Sequence, residues 1–250
     1  MIERYLRDQM RDLWLRPAAK YEEWKKVEDA ALWGRTQIGE LPPEVYEAIK
    51  NHGRVVVQRI EEFERTYDHD MNAFIAAVQE SLEKAGVGEV KDEFHKFLTS
   101  YDVEDPALML RLRYAMELIL AELIKLERIL RQKAEEHKWT LMTARTHGQV
   151  ALPSTFGQLL LVYAHAISRS IRRLRHVIDE ELCEAKMSGA VGNYAGMNPA
   201  IERYALEFLG LRPAMAETQI LQRDRHGALV ANLAIMAGTI EQICFTFWLL

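Results

Sequence analysis

The sequence predicts an all-α protein, with an N-terminal helical domain over residues 1–105 and the long helices of a central helical bundle over residues 106–250. Two observations predict this class. Three long stretches, residues 107–137, 154–185 and 223–250, repeat apolar residues every three to four positions, which is the period of an amphipathic helix. No pair of segments with alternating apolar and polar residues predicts neighbouring strands. Helices of this length are typical of extended bundles.

The first 105 residues are predicted to form shorter helices. A helical entry covers residues 1–36, and Pro42-Pro43 then breaks the chain. Two further helices are expected over residues 44–65 and 71–85, and the glycines at 86 and 88 end the second of them. Short helices that are separated by prolines and glycines are typical of a compact helical domain.

Polar segments separate the long helices. Pro106 suits the first turn of the helix that is predicted to start at Ala107. Ser154 is a suitable N-cap for the next helix. A glycine-rich stretch, residues 186–199, interrupts the helical pattern again, and glycines let backbone amides approach a ligand.

The apolar stretch 228–250 has the composition of a membrane span. Asn232, Glu241 and Gln242 interrupt it, and a charged residue inside a span is costly. We therefore predict a buried bundle helix and no membrane partner.

Charge and cysteine content limit the function classes. The chain carries 32 Lys and Arg against 37 Asp and Glu, for a net charge of -5. This balance argues against general nucleic-acid binding, which needs a basic excess. Two cysteines without CxxC spacing and a charged start, Met1 to Tyr5, without an apolar export signal predict a cytoplasmic protein.

The stretch Thr143–Gln149 holds an arginine, a hydroxyl, an imidazole and a carboxamide within five positions. It contains His147, and a histidine side chain is able to protonate a leaving group and recover the proton. A single loop histidine is more often structural than catalytic, but other helix ends carry similar groups. These are the histidines, hydroxyls and amides of His69, His95, Thr99, Ser100, Thr146, Ser188, Gln219 and Gln222.

That mixture suits a substrate that is rich in carboxylate or phosphate and whose leaving group needs a proton. No histidine has HExxH spacing, so the pattern predicts neither a metal nor another cofactor.

Six ordered blocks resemble the fumarase/aspartase superfamily, and within it the adenylosuccinate lyase branch. The resemblance runs over the whole of residues 1–250. The blocks are Ile2–Tyr5, Thr66–Phe74, Phe94–Asp105, Thr143–Gln149, Ser188–Gly192 and Thr218–His226.

The resemblance implies elimination of fumarate from a succinylated purine nucleotide or its precursor, without a cofactor, by a homotetramer with shared active sites. His147 would be the general acid, and His69 would assist at the leaving group or the phosphate. The remaining groups would bind substrate. Arg4 and Tyr5 would hold the phosphate, and Thr146 with Gln219 or Gln222 would bind the succinyl carboxylates. The other substrate-binding residues would be His95 with Thr99 and Ser100, and also Asp70 and Ser188.

Four departures from the branch pattern leave the substrate open. Asp68 stands where Arg or Lys is usual, Phe97 where glycine is usual, Tyr101 where a small hydroxyl residue is usual, and Pro106 where threonine is usual. A sister enzyme similar to argininosuccinate lyase or to carboxymuconate cycloisomerase is therefore an alternative.

The superfamily's loop with the base serine would lie beyond residue 250, so we expect the chain to be incomplete for activity. A non-catalytic helical assembly module is the second alternative.

Overall fold

The computed structural model describes residues 4–250, and helices dominate it, which confirms the predicted all-α class. In chain order the elements are α1 (Asp8–Leu15), α2 (Pro17–Gln37), α3 (Pro43–His52), α4 (Val57–Tyr67), α5 (Asp70–Lys84), a 3₁₀ helix (Gly88–Glu93), α6 (Ser100–Glu136), β1 (Leu141–Thr146), β2 (Gln149–Thr155), α7 (Phe156–His176), a π-helical turn (Val177–Glu181), β3 (Glu184–Ala185), α8 (Pro199–Phe208), β4 (Arg212–Pro213) and α9 (Asp224–Leu249).

The chain forms two compact units. The first contains the residues up to Ala115 together with Leu182–Gln222, and the second contains Met116–Glu181 and Arg223–Leu250. Each unit is described by itself. The division into domains 1–105 and 106–250 stays a prediction.

The core of the first unit lies between α2, α5 and α8. The rings of Trp24 and Phe74 meet edge to face with centroids 5.5 Å apart, and Phe94 lies 5.8 Å from Phe74. A side chain of such size contributes about 1.5–3 kcal/mol when it is fully buried. On the other side of α2, a Cβ at Gly34 would lie 2.7 Å from the carbonyl oxygen of Ile201, so α2 and α8 touch backbone to backbone.

A β-hairpin occupies the segment that was predicted to be a loop, so the expectation of no strand pair is wrong. β1 and β2 are antiparallel, and Thr146 pairs with Gln149. His147 and Gly148, with φ of 53° and 75°, form the two-residue turn, and left-handed backbone at both positions is the requirement of a type I′ hairpin. The apolar side chains of the strands, Leu141 and Leu152 among them, are exposed, so the hairpin lacks the one-sided burial on which strand prediction depends.

Helix α6 begins at Ser100, seven residues before the predicted start. Pro106 therefore lies inside the helix and not in its first turn. The start is fixed by the carboxylate of Asp102, whose Oδ2 accepts a hydrogen bond from the backbone N–H of Thr99 at 2.9 Å. A carboxylate three positions into a helix that accepts from the capping residue is half of a capping box, and it outweighs the proline signal.

Helix α7 begins two residues after the predicted cap. Thr155 is the N-cap, and its Oγ1 accepts from the backbone N–H of Gln158 at 3.2 Å. The Ser154 hydroxyl donates instead to the side chain of Gln158 at 2.8 Å. The α-helix ends at His176 and one π-helical turn follows, so the regular helix is shorter than the predicted stretch 154–185.

Helix α9 is long and apolar enough to cross a membrane by length and composition alone. Only 11% of its most apolar stretch is buried, and its buried residues are Leu229 and Ile243. The prediction of a buried helix therefore does not hold within residues 4–250. In the second unit α9 packs mainly against α7 and the π-helical turn, which cover one side of it.

Candidate functional site

His69 and Asp70 form the start of α5. His69 is the N-cap residue, and its Nδ1 accepts from the backbone N–H of Asn72 at 3.4 Å. Lys20 on α2 lies 2.6 Å from Asp70 Oδ2, and the backbone N–H of Met71 donates to Asp70 Oδ1 at 2.8 Å. Partial burial alone would raise the pKa of Asp70, but Lys20 and these hydrogen bonds outweigh it, so the pKa lies below its ordinary value. Asp70 is thus held as a carboxylate beside a histidine.

His95 forms a buried pair with Glu28 of α2. The distance between His95 Nδ1 and Glu28 Oε1 is 2.6 Å, and the side chains are 16% and 1% exposed. Burial alone would lower the pKa of His95, but the charge of Glu28 and the hydrogen bond to it outweigh burial, so the pKa lies above its ordinary value. Glu28 therefore stabilises the protonated form of His95, a residue predicted to bind an anionic substrate.

Sequence reasoning did not find Glu28. It lies 67 positions from His95, within a helix whose pattern indicates only a core face. A fully buried glutamate is rare without a partner, so the place of Glu28 on the core face of its helix is a signal that could have pointed to it.

We expect Glu28→Gln to lower the titration midpoint of His95, because burial is then opposed by the charge of Asp102 without that of Glu28. In the wild type the midpoint should lie above the ordinary value of about 6.5, and in the variant below it, as measured from the imidazole NMR resonances. Glu22→Gln, which removes the partner of Arg16 at the surface, is the matched control and should leave the midpoint unchanged.

The same pair gives stability a defined pH dependence. Since the folded pKa of His95 is raised, its contribution is complete below the unfolded pKa and is lost as pH rises through the folded pKa. The free energy of unfolding should fall over that window in the wild type and not in Glu28→Gln. Equal titration midpoints of His95 in the two proteins would contradict the assignment of Glu28 as its charged partner.

The first turns of α6 lie beside both histidine segments. The charge of Asp102 acts on His95, and the charge of Asp70 acts on Glu104. Burial and then the neighbouring Asp70 raise the pKa of Glu104 above its ordinary value. Helix α6 is therefore the element that relates the segments of His69 and His95 to each other.

Thr99 and Ser100 stand at the start of α6, and both are half-buried. Two residues before Thr99, Phe97 has a φ of 72°, which is left-handed backbone that favours glycine. This explains why glycine is usual at this position in the branch that the sequence resembles. The Phe97 ring lies 5.4 Å from the guanidinium of Arg35 and 3.6 Å from the Cβ position of Gly196, so the side chain fills space that a glycine would leave open.

Ser188 lies in the glycine-rich loop and is buried. Glu202 of α8 anchors both ends of this loop, since it accepts from the backbone N–H of Met187 at 2.6 Å and from the Tyr194 hydroxyl at 2.5 Å. Burial, followed by the hydrogen bond to Glu202, raises the pKa of Tyr194 to about 12. The loop is thus held by the buried carboxyl group of Glu202, a residue that sequence analysis did not single out.

Gln219 and Gln222 have exposed side chains, but the backbone around them is fixed. The carbonyl oxygen of Gln219 accepts from Lys186 Nζ at 2.9 Å, and the N–H of Leu221 donates to Asp105 Oδ2 at 2.7 Å. Asp102 accepts from the N–H groups of Thr99 and Gly189, and Lys186 donates to the carbonyl oxygen of Gly189. The structure therefore brings three predicted segments together: Thr99–Ser100, Ser188–Gly192 and Gln219–Gln222.

Arg4 and Tyr5 are exposed at the start of the described chain. The guanidinium carbon of Arg4 lies 5.9 Å from the centre of the Tyr5 ring. Ile2 and Glu3, which belong to the same predicted block, lie outside the described residues. The phosphate role of this block stays a prediction.

Thr146 and His147 belong to the second unit, and both are exposed at the tip of the hairpin. The exposed position of His147 in the turn suits a group that must reach a bound molecule. Within residues 4–250, no group of three or more His, Cys, Asp or Glu side chains could hold a metal ion.

Comparison with solved structures places the fold among fumarate lyases and related enzymes. A fumarate lyase from Mesorhizobium sp. BNC1 superposes with a TM-score of 0.88 at 22% identity, over 97% of this chain and 57% of that one. A 3-carboxy-cis,cis-muconate lactonizing enzyme from Pseudomonas putida gives a TM-score of 0.86 at 25% identity, over 95% and 55%.

Curated relatives give a closer likeness in sequence. Adenylosuccinate lyases from Staphylococcus saprophyticus and Bacillus subtilis are 40% and 38% identical over 242 residues, which are 97% of this chain. The chain spans about half the length of these relatives, 54% of each. A family model described as "Lyase" matches residues 24–250. The chain belongs to this Lyase family, and the predicted superfamily resemblance is confirmed.

Proposed function

We propose that the full-length protein is a carbon–nitrogen lyase that eliminates fumarate from adenylosuccinate, giving AMP, and from the succinylo-carboxamide ribotide, giving the carboxamide ribotide. The observation that carries the proposal is the meeting of the Thr99–Ser100, Ser188–Gly192 and Gln219–Gln222 segments, which carry hydroxyl and carboxamide side chains. Such donors suit a dicarboxylate. The names of the curated relatives support the choice of substrate.

In the proposed reaction a proton leaves the carbon beta to the nitrogen, and negative charge develops on the adjacent carboxylate. Fixed N–H and O–H donors stabilise that charge, because they need not reorganise as it forms. The carbon–nitrogen bond then breaks, and His147 protonates the departing nitrogen. The base is expected on the serine loop that the superfamily carries beyond the segment matching this chain.

The other predicted residues take supporting roles in this proposal. His69 assists at the leaving group or the phosphate, and its neighbour Asp70 stays ionised. His95, in the protonated form that Glu28 stabilises, attracts an anionic group of the substrate. Arg4 and Tyr5 hold the phosphate, and Thr146 addresses a succinyl carboxylate.

We further propose a homotetramer with shared active sites. Exposed apolar side chains along α9 support helix pairing between copies: Val230, Ile235, Phe245 and Trp248. A cytoplasmic location and the absence of nucleic-acid and membrane partners stay predictions.

We expect the full-length protein to release fumarate from adenylosuccinate, measured by the absorbance change, at least 100 times faster than it releases fumarate from argininosuccinate or cyclises a carboxymuconate. A site built to hydrogen-bond one substrate's polar groups rejects analogues that lack them by large factors. Preference for the carboxymuconate would instead favour a cycloisomerase. Binding of adenylosuccinate without turnover of any of the three would favour the non-catalytic module.

A further inference from the structure

Lys186 is a buried cation between two predicted substrate-binding segments. Its side chain is 1% exposed. The three protons of its ammonium group have three acceptors: Asp102 Oδ1 at 2.6 Å, the carbonyl oxygen of Gly189 at 3.0 Å and the carbonyl oxygen of Gln219 at 2.9 Å. Lys186 thus joins the glycine-rich loop to the Gln219–Gln222 segment and has no proton left for a ligand.

Asp102 extends this arrangement to the third segment. It is fully buried and accepts from the N–H of Thr99 at 2.9 Å and from the N–H of Gly189 at 3.2 Å, besides its pair with Lys186. One turn further along α6, Asp105 is 2% exposed and accepts from the N–H of Leu221 at 2.7 Å. Two carboxylates on one face of α6 therefore hold backbone amides from all three segments.

Stability alone does not account for a charged pair at this place. Burying two charges is costly, and well-packed apolar residues of similar volume often serve equally well or better. What an apolar pair cannot do is fix the direction of two carbonyls and two N–H groups from separate segments. The geometry favours a role in arranging the loops.

We propose that Lys186, with Asp102 and Asp105, is a positioning residue that locks the Thr99–Ser100, Ser188–Gly192 and Gln219–Gln222 segments into one arrangement for binding the dicarboxylate. This inference rests on the proposed function for its catalytic consequence, but not for the coupling between the segments. It assigns no contact with substrate to Lys186, because its donors are all used within the chain.

The coupling is tested by amide hydrogen exchange in the full-length protein. Lys186→Met should accelerate exchange at least tenfold at Gly189 and also at Leu221, whose N–H does not bond to Lys186, while the amides of α5 keep their wild-type rates. Lys25→Met is the matched control, because Lys25 is a second buried lysine that pairs with a carboxylate, Asp29, at 2.5 Å. It should leave both amides unchanged.

The catalytic consequence is tested on the same variants. Lys186→Met should lower kcat/KM for adenylosuccinate at least tenfold, since small misplacements of positioning groups have effects of this size. If the single variant does not fold, Lys186→Met/Asp102→Asn leaves no unpaired buried carboxylate and carries the same expectations.

Unchanged exchange at Leu221 in a folded variant would overturn the positioning role, whatever the activity. Wild-type protein without turnover would refute the proposed function, while the exchange result would still decide the coupling. Normal kcat/KM together with accelerated exchange would overturn the claim that the locked arrangement serves catalysis.

Discussion

His147→Asn should lower kcat for adenylosuccinate by about 10²–10⁴-fold, because loss of a general acid has effects of this size. Asparagine is the suitable replacement. It is among the residues that adopt left-handed backbone most readily, and Asn-Gly is a preferred type I′ pair, so the turn with a φ of 53° is preserved. The variant removes the titratable group and keeps the hairpin.

The measurement is steady-state turnover of the full-length protein, together with circular dichroism of the same sample. His165→Asn is the matched control, because His165 is an exposed histidine on α7 outside the predicted site, and it should turn over normally. A His147→Asn protein with wild-type kcat would remove His147 from the proposed mechanism. It would leave the family membership intact.

Gly192→Ala should destabilise the first unit more than any other glycine-to-alanine substitution in the glycine-rich loop. The Gly192 backbone has a φ of 77°, and a Cβ there would lie 2.1 Å from the carbonyl oxygen of Glu217. Left-handed backbone costs a residue with a side chain about 1–2 kcal/mol, and overpacking adds about 1–3 kcal/mol. In the variant, the glycine-rich loop and the segment that begins at Glu217 must move apart.

Gly189→Ala isolates the backbone contribution. Gly189 has a φ of 81°, but a Cβ there would meet nothing within 4 Å. We expect urea unfolding to give a loss of about 1–2 kcal/mol for Gly189→Ala, the backbone cost alone, and a clearly larger loss for Gly192→Ala. Equal losses would mean that the close approach to Glu217 is not rigid.

Much of the fold was predictable because helical burial repeats locally. The apolar period located the long helices, and the polar blocks at their ends located the candidate residues, since both are patterns over neighbouring positions. Cap positions were less predictable. The capping carboxylate of Asp102 moved the start of α6 to Ser100, and Pro106 was accommodated inside the helix.

The partners of the candidate residues were not predictable from the same patterns. Glu28 is paired with His95 across 67 positions, and Asp102 with Gly189 across 87 positions. Nothing local in a helix marks which buried carboxylate faces which loop.

The sequence by itself determined that the chain is helical, where its polar segments lie and which family it resembles. Only the tertiary structure decided which segments meet, that His147 stands on a hairpin turn and that Phe97 has left-handed backbone. The physical reason is that secondary structure depends on neighbours along the chain. A buried charge, in contrast, is satisfied by whatever polar group the fold brings to it.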